Sequence, residues 1–288
     1  KRFRFTLKWH KTCQFLFMIS SNLDGGLGNM LFQIAAGYSH SLKLNSNFFL
    51  FDSNDNYADG YFNQMSSQIS EEFAKRTVLS WKKYKNNIFS KIPVHPHENL
   101  ELVKQGCFKY TPIPYKDNII IEGFFQSEKF FKDYENEIKD LFFFNKNLRE
   151  INNKKLNLSK KKKVGIHFRR YKVMTDILPP MPWVYYEYAL KKFDAEKYEF
   201  ICFSDDINDV KKNFDVRAFN FLENNNELDD LYCLSQCDAV IMSNSTFSWW
   251  GAWLGKRKEK VVVPPFWFGK AGPQDIEDLI PDRWEVLT

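Results

Sequence analysis

Two neighbouring arginines stand at the end of a short apolar stretch and are well suited to bind an anion. Arg169 and Arg170 follow the run from Val164 to Phe168, which has the length and composition of a buried strand. A guanidinium group at the end of a buried strand is costly unless an anion or a carboxylate meets it. We therefore expect one arginine to bind an anionic ligand while its neighbour pairs with a carboxylate of the protein. A purely structural ion pair is the alternative.

A glycine-rich loop lies near the start of the chain, between a predicted strand and a predicted helix. It contains Gly26, Gly28 and Asn29, and the apolar residues from Met30 to Leu44 then recur at helical spacing. Glycine lets the backbone approach a ligand closely, and the N-terminus of a helix favours an anion. The spacing differs from that of the G-x-G-x-x-G and phosphate-loop motifs. A tight turn that serves packing alone is therefore an equal alternative for this loop.

A segment rich in serine and threonine follows another predicted strand, at residues 239–242. Ser245, Thr246 and Ser248 place hydroxyl and backbone N–H groups at the start of a helix predicted from Thr246 to Leu254. This arrangement also suits a phosphate group. The tryptophans of that helix are expected to be core side chains rather than a platform for a sugar ring.

Two adjacent carboxylates, Asp205 and Asp206, follow the predicted strand from Phe200 to Ser204. A carboxylate there can accept hydrogen bonds from a ribose hydroxyl or from the N1–H and N2–H groups of guanine, or it can bind a divalent metal. Asp is also a common N-cap residue, and a helix is predicted to begin at about residue 207. We expect one of the two carboxylates to cap that helix and the other to be free for a ligand.

The composition excludes several classes of protein. The chain has 288 residues, of which 44% are hydrophobic and 17% aromatic, so it can fill one large core or two mid-sized ones and is not disordered. No apolar run approaches the roughly 20 residues of a membrane span. A net charge of +5 is too small to indicate a nucleic-acid partner, and the basic residues 1–9 suggest peripheral membrane contact at most. Five scattered cysteines are typical of a reducing cytoplasm rather than of a disulfide framework.

The elements that must position these residues alternate between strand and helix in both halves of the chain. Strands are predicted at 15–20, 48–51, 118–121, 164–168, 200–204, 216–219, 239–242 and 260–263, and helices at 30–44, 127–143, 183–193, 207–213, 227–236, 246–254 and 275–280. We interpret the charged stretch at 153–163 as the boundary between an N-terminal α/β domain, residues 1–158, and a C-terminal α/β domain, residues 159–288. Ligands in such folds lie at the carboxyl ends of parallel strands, here in the cleft between the halves.

The motifs resemble those of glycosyltransferase family 11, the α-1,2-fucosyltransferases. The likeness is carried, in family order, by G-G-L-G-N-M-L-F-Q-I-A-A-G-Y, I-I-I-E-G-F-F-Q-S-E-K-F-F, H-F-R-R, F-S-D-D, C-D-A-V-I-M-S-N-S-T-F-S-W-W-G-A-W-L and the closing D-L-I-P-D-R-W-E-V-L. It extends from about residue 18 to residue 288. The resemblance implies a GT-B fold of two Rossmann-like domains facing across a cleft, a GDP-β-L-fucose donor and no required metal ion or other cofactor.

The same resemblance implies the reaction and the acceptor class. L-Fucose is expected to be transferred, with inversion, to the 2-hydroxyl of a galactose in an oligosaccharide or glycoconjugate acceptor. The segment at 53–115, which is polar and contains scattered aromatic residues, should shape the acceptor pocket. The acceptor itself is not specified by the sequence.

Matching positions carry the roles of the family's residues onto this sequence. Arg169 resembles the arginine that binds the donor diphosphate and assists its departure. His167 and Asp206 resemble the pair that binds guanine in related fucosyltransferases. The loop from Gly26 to Asn29, with Gly28, is expected to face the fucose. The segment expected to lie against the phosphates consists of Ser245, Thr246, Phe247 and Ser248.

One position departs from the family pattern, which is usually H-x-R-R-x-D. In this sequence Lys172 stands at the sixth position, where the family usually has Asp. A lysine cannot act as a base at neutral pH unless burial lowers its pKa strongly. Our hypothesis is an active transferase in which Lys172 adds positive charge near the diphosphate and Asp176, or as second choice Asp24, replaces the missing carboxylate. The alternatives are a different nucleotide-sugar donor, a non-catalytic nucleotide-sugar- or glycan-binding protein, and a metal-dependent transferase that uses Asp205 and Asp206.

Overall fold

The computed structural model describes residues 17–51, 81–95, 100–157, 159–172, 175–222, 224–255 and 258–288. The basic residues 1–9, the start of the first predicted strand and much of the segment 53–115 lie outside the described residues. Two parallel sheets with helices connecting their strands make up the described part, which confirms the predicted α/β class.

The first sheet is built by the N-terminal half of the chain. Its strands are β1 (Met18–Ser21), β2 (Asn47–Phe51), β3 (Val94–His95), β4 (Glu101–Lys104) and β5 (Ile119–Glu122), in the spatial order β3-β2-β1-β5-β4. Neighbouring strands run parallel, and Ile19 of β1 lies opposite both Phe48 and Ile119. Helix α1 (Leu27–Leu44) connects β1 to β2. Because β1 is central and buried, the glycine-rich loop that follows it is anchored at the middle of the sheet edge.

The helix predicted at 127–143 is interrupted. Single turns of 3₁₀ helix at Glu128–Phe130 and Lys132–Tyr134 precede helix α2 (Glu135–Leu141). Phe131, between the two turns, has a non-helical φ of −143°, and its buried ring stacks on that of Trp250 at 5.4 Å. We attribute the interruption to this contact, because an unbroken helix would not place Phe131 in the core in this way.

A helix that the sequence analysis missed reaches into the predicted domain boundary. Helix α3 (Lys146–Leu156) covers the first residues of the stretch at 153–163. Its buried Asn152 donates a hydrogen bond of 2.6 Å from Nδ2 to Oδ1 of Asp229 in the second half. The chain therefore already contacts the second half before it enters the second sheet.

The second sheet has six parallel strands: β6 (Lys162–Phe168), β7 (Tyr198–Ser204), β8 (Phe219–Phe221), β9 (Ala239–Ile241), β10 (Lys260–Val263) and β11 (Glu285–Val286). Their spatial order is β11-β10-β9-β6-β7-β8. The connecting helices are α4 (Trp183–Leu190), α5 (Ile207–Asn213), α6 (Glu227–Gln236) and α7 (Thr246–Leu254). The predicted closing helix at 275–280 is instead a series of turns that leads to β11.

Helices α1 and α7 pack against each other and join the two halves. Phe32 of α1 contacts Trp249 and Trp250 of α7, with ring centroids 4.5 and 5.0 Å apart. Both tryptophans are fully buried, as predicted for core side chains. Two parallel α/β units that meet across a cleft are the arrangement expected of a GT-B fold. Among the helices in the described ranges, none combines the length and the apolarity needed to cross a membrane.

Candidate functional site

A cavity of about 490 Å³ lies between the carboxyl ends of the two sheets. The loops that follow β1, β5, β6, β7 and β9 contribute to its wall, which is where parallel α/β folds bind their ligands. Residues predicted from the sequence that line this cavity are Gly26, Gly28, Asn29, His167, Arg169, Asp205, Ser245, Thr246 and Phe247.

Arg169 is the arginine of the pair that lines the cavity. Its Nη1 lies 3.1 Å from Oδ2 of Asp205, and its guanidinium group lies over the ring of Tyr171 at 4.8 Å. The side chain remains 39% exposed, so its remaining donor groups are accessible to a ligand. Planar guanidinium groups held in this way are preorganised for bidentate contact with a phosphate.

Arg170 has the structural role that was predicted for one of the two arginines. Its Nε donates to Oδ2 of Asp209 at 2.8 Å, and its Nη1 donates to the carbonyl oxygen of Met181 at 2.9 Å. The guanidinium group also stacks over the ring of Trp183 at 3.9 Å. These contacts hold the side chain in the scaffold, as expected for one arginine of the pair.

His167 is an uncharged hydrogen-bonding residue in this site. It is 4% exposed, its Nδ1 lies 3.0 Å from Oγ of Ser243, and its ring packs on that of Phe247 at 5.3 Å. Burial, together with the positive charge of Arg169, lowers the pKa of His167 to about 3. The imidazole is therefore neutral at pH 7. It can exchange a hydrogen bond with a ligand but cannot neutralise a phosphate.

Two helix N-termini meet at the cavity wall. Helix α1 begins after Gly26, which has no side-chain cap, and helix α7 begins after Ser245, whose hydroxyl accepts from the N–H of Phe247 at 3.3 Å. The approach is close, since a Cβ added at Gly28 would lie 2.6 Å from the backbone nitrogen of Phe247. Helix N-termini carry partial positive charge, so this junction favours an anion.

A polar edge at the start of α6 also lines the cavity and was missed by the sequence analysis. Its members are Asn225, Asn226, Glu227 and Asp230. Nδ2 of Asn225 donates to Oδ1 of Asp230 at 2.8 Å, and burial raises the pKa of Asp230 to about 6. The sequence N-N-N-E-L-D-D has the composition of an ordinary capped helix start, and Asn226 does form a capping box with Asp229. Nothing in that pattern distinguishes a carboxylate that faces a ligand cavity.

Aromatic side chains form a third part of the wall. The rings of Phe108 and Phe124 lie 5.6 Å apart, and those of Phe108 and Phe268 lie 5.4 Å apart. Oδ2 of Asp275 accepts from the backbone N–H groups of Phe108 and Lys109, at 2.9 and 3.2 Å. The loop between β4 and β5 is thereby tied to the C-terminal segment across the cleft. Phe108 brings part of the segment 53–115 to the cavity.

The sequence matches a known family along nearly its whole length. The model of glycosyl transferase family 11 covers residues 16–284. The chain belongs to glycosyltransferase family 11. This family 11 glycosyltransferase is 27% identical to the O-antigen biosynthesis glycosyltransferase WbnK of Escherichia coli, over 86% of this chain and 94% of the relative. It is 25% identical to an alpha-1,2-colitosyltransferase of Escherichia coli, over 93% and 98% respectively.

Among solved structures, the fucosyltransferase NodZ from Bradyrhizobium is similar to this chain, with a TM-score of 0.48 and 12% sequence identity. The similarity covers 84% of this chain and 94% of NodZ.

In this family 11 glycosyltransferase one of the adjacent carboxylates caps a helix as predicted, whereas the other is paired with an arginine and the backbone rather than free. Asp206 caps α5 by accepting from the N–H of Asp209 at 3.0 Å, and it forms an ion pair with Lys172. Lys172 lowers the pKa of Asp206. Neither residue lines the cavity, whereas Asp205 does and pairs with Arg169. The structure therefore does not bring Asp206 to the position expected of a guanine-binding group.

Three further predicted residues of the family 11 glycosyltransferase do not line the cavity. Asp176 is exposed, although the adjacent Ile177 belongs to the wall. Asp24 binds the N–H of Gly25 at 2.7 Å, and burial raises the pKa of its carboxyl to about 6. Ser248 is fully buried and donates to the carbonyl oxygens of Ser243 and Ser245, so its hydroxyl stabilises the turn.

No group of three His, Cys, Asp or Glu side chains in the described ranges is arranged to hold a metal ion.

Proposed function

We propose that this glycosyltransferase is an inverting α-1,2-fucosyltransferase, which transfers L-fucose from GDP-β-L-fucose to the 2-hydroxyl of a galactoside. The observation that carries the proposal is the combination of Arg169 with the N-termini of α1 and α7 on the wall of one cavity. These are groups that stabilise a diphosphate without a metal ion. The family 11 assignment supports the proposal, because it places the same motifs in a glycosyltransferase.

The reaction requires the site to stabilise a leaving group. The oxygen of the acceptor hydroxyl attacks C1 of fucose, the bond from C1 to the phosphate oxygen breaks, and its electron pair departs with GDP. Negative charge therefore grows on the diphosphate in the transition state. Arg169 and the two helix N-termini oppose that charge, and preorganised groups of this kind contribute a large part of the catalysis in such reactions. The acceptor hydroxyl loses its proton late in a loose transition state, and the proton passes to an oxygen of the departing diphosphate or to water. No strong base is therefore assigned to Asp176 or Asp24.

The nucleotide base is proposed to bind at the polar edge at the start of α6. A carboxylate that accepts from N1–H and N2–H recognises guanine and leaves uracil and adenine without equivalent partners. Asp205 is paired with Arg169, and Asp206 with Lys172. Asp230 lines the cavity and accepts a hydrogen bond from the neutral amide of Asn225, with the positive charge of Lys155 as a weaker influence on its carboxylate. Asp205 and Asp206 each form an ion pair and Asp230 accepts from an amide, so we assign guanine binding to Asp230 rather than to Asp206, where the family resemblance had placed it.

A second donor has a specific observation in its favour. One relative, 25% identical to this chain, is named an alpha-1,2-colitosyltransferase. Colitose is fucose without its 3-hydroxyl group, so a transferase for either sugar needs the same diphosphate site and differs in contacts to one hydroxyl. Transfer of another deoxyhexose from its GDP derivative is therefore the second candidate.

The donor assignment is tested by measuring GDP release from a panel of nucleotide sugars. The panel contains GDP-fucose, GDP-colitose, GDP-mannose and a UDP-hexose, each with a mixture of galactosides, with and without EDTA. The proposal predicts the fastest turnover with GDP-fucose and no effect of EDTA. Faster turnover of GDP-colitose would select the second candidate. Binding of GDP without turnover of any donor would indicate the non-catalytic alternative, and loss of turnover in EDTA would indicate a metal-dependent transferase.

A further inference from the structure

Gln126 has an unused hydrogen-bond acceptor beside the cavity. The residue follows β5, lines the cavity and is only 6% exposed. Its Nε2 donates to Oδ1 of Asn29 at 3.2 Å. Its Oε1 has no hydrogen-bond partner among the residues that the structure describes. A buried acceptor without a partner is costly, and in native proteins such groups usually bind water or a ligand.

The orientation of this amide is set by its neighbours. Oδ1 of Asn29 accepts from Nε2 of Gln126 and also from Oγ1 of Thr246, at 2.9 Å. In this arrangement the nitrogen of the Gln126 amide faces Asn29 and its oxygen faces away from it. Rotating the amide by half a turn would place two oxygens against each other and lose the hydrogen bond.

We propose that Oε1 of Gln126 accepts a hydrogen bond from a hydroxyl group of the transferred sugar; this inference rests on the proposed function. The ligand group must be a donor, which excludes the unprotonated diphosphate oxygens. Gln126 is hydrogen-bonded to Asn29, and Asn29 is hydrogen-bonded to Thr246 at the junction of α1 and α7, which we assign to the diphosphate. The diphosphate joins the transferred sugar to the nucleoside, and with the base assigned to the start of α6 the sugar is the group left for the side of the cavity at Gln126. The hydroxyls of that sugar are its hydrogen-bond donors.

The consequence is a role in donor specificity. A site that offers an oriented acceptor to a sugar hydroxyl discriminates against the sugar that lacks this hydroxyl, because the acceptor is then left without a partner. Gln126 is therefore the residue by which the enzyme distinguishes a fully hydroxylated 6-deoxyhexose from a dideoxy relative. It binds substrate and takes no part in proton transfer.

The test combines enzyme variants with donor variants. The value of kcat/KM for GDP release is measured for the unmutated chain, Gln126→Leu and Gln126→Glu, with GDP-fucose and its 2-, 3- and 4-deoxy analogues. We expect one analogue to be about 10- to 100-fold poorer than GDP-fucose with the unmutated chain. Gln126→Leu should lower turnover of GDP-fucose by a similar factor and turn over that analogue without further loss. Gln126→Glu retains an acceptor oxygen but turns a second oxygen towards Oδ1 of Asn29, so it should turn over every donor more slowly and still discriminate against the analogue.

Controls separate this assignment from other causes. Gln126→Leu should change GDP affinity much less than it changes kcat/KM for GDP-fucose, because GDP has no transferred sugar and loses only the indirect contact through Asn29. Gln105→Leu removes a nearby amide that does not line the cavity and binds the backbone N–H groups of Phe124 and Phe125, so its losses should be the same for every donor. Equal losses for all donors in Gln126→Leu, a loss of GDP affinity as large as the loss in kcat/KM for GDP-fucose, or discrimination that appears instead with deoxygenated acceptors would each overturn the assignment. Failure of the unmutated chain to turn over GDP-fucose would overturn the proposed donor and, with it, this inference.

Discussion

Oγ1 of Thr246 donates a hydrogen bond of 2.9 Å to Oδ1 of Asn29, which joins the first turns of two helices that belong to different sheets. The contact links the loop after β1 to the loop after β9 across the cleft. It also places the N-termini of α1 and α7 side by side, where their partial positive charges favour an anion at the same place. The site is therefore an interface between the two halves rather than a pocket within one of them.

The close approach of the two helices depends on Gly28. A Cβ at this position would lie 2.6 Å from backbone atoms of Thr246 and Phe247, so one helix must shift to accept it. We expect Gly28→Ala to lower the free energy of unfolding by about 1–3 kcal/mol, as overpacking does in other cores, and to reduce transfer as well. Gly26→Ala is the matched control, since no atom lies within 4 Å of its added Cβ. Thermal unfolding of the two variants side by side is the measurement, and equal melting temperatures would contradict the packing argument.

Arg169 and Arg170 should differ in what their removal costs. Arg169→Ala is expected to lower kcat/KM by roughly 10²–10³, because the diphosphate loses its main cationic partner in the transition state. Arg169→Lys should recover little, since an ammonium group cannot make the bidentate contact. Arg170→Ala should lower the melting temperature, because it removes the contacts to Asp209, Met181 and Trp183. Near-normal turnover of Arg169→Ala in steady-state kinetics would refute the assignment.

Asp230 should control the choice of nucleotide. With its carboxylate on the edge of guanine, GDP should bind more tightly than UDP by about 2 kcal/mol or more. Asp230→Asn should remove most of that preference, whereas Asp206→Ala should preserve it and lower the melting temperature through the lost cap of α5. Isothermal titration calorimetry with both nucleotides is the measurement. Loss of the preference in Asp206→Ala alone would restore the role that the sequence assigned to Asp206.

The raised pKa of Asp230 predicts how stability and binding change with pH. The folded chain holds this proton up to about pH 6, whereas the unfolded chain loses it near pH 3.8. The buried charge therefore destabilises the fold above about pH 6, and this cost disappears as the pH falls towards 4. Asp230→Asn should raise the free energy of unfolding at pH 7 by about 1–3 kcal/mol. The difference in GDP affinity between the unmutated chain and Asp230→Asn should decrease as the pH falls through 6; a difference that stays constant from pH 8 to pH 5 would exclude titration of this group.

Asp176, the carboxylate that follows the arginine motif, should matter much less for turnover than Asp205, which lines the cavity. Asp176→Asn is expected to retain turnover within about twofold, because Asp176 is exposed and does not line the cavity. Asp205→Asn should lower turnover at least tenfold, since Arg169 loses the charged partner that orients it. Lys172→Ala should leave turnover nearly unchanged, because Lys172 does not line the cavity and its ion pair is with Asp206. A severe loss in Asp176→Asn would instead support the substitute carboxylate inferred from the sequence.

Much of the fold could be predicted from the sequence because it is encoded locally. Apolar runs of strand length alternate with helical periodicity, and these two signals identify the parallel sheets and the loops that carry the ligand site. The prediction of a closing helix at 275–280 was wrong because contacts with a distant part of the chain decide the structure of this segment. The carboxylates of Asp275 and Asp278 accept hydrogen bonds from the backbone of residues 108–110 across the cleft, and these contacts favour turns over a helix.

The site could be predicted in outline but not in detail. Two adjacent arginines, or two adjacent aspartates, indicate that one residue of each pair supports the scaffold, and Arg170 and Asp206 do so in the structure. Their neighbours Arg169 and Asp205 line the cavity, where Asp205 is paired with Arg169 rather than free. Which aspartate faces the cavity depends on the path of the chain after β7. Asp230 could not be identified, because its exposure to the cavity results from the packing of α6 rather than from its local sequence.

Transfer of fucose from GDP-fucose to the 2-hydroxyl of a galactoside is the activity that we propose for this cavity. The most direct measurement compares GDP release from GDP-fucose in the presence of a β-galactoside with release in the presence of its 2-deoxygalactoside analogue, and determines the anomeric configuration of the product by NMR. Our account predicts rapid release and an α-linked fucosyl product with the galactoside, and only background hydrolysis with the 2-deoxy analogue. Equal turnover of the two acceptors, or a β-linked product, would contradict it.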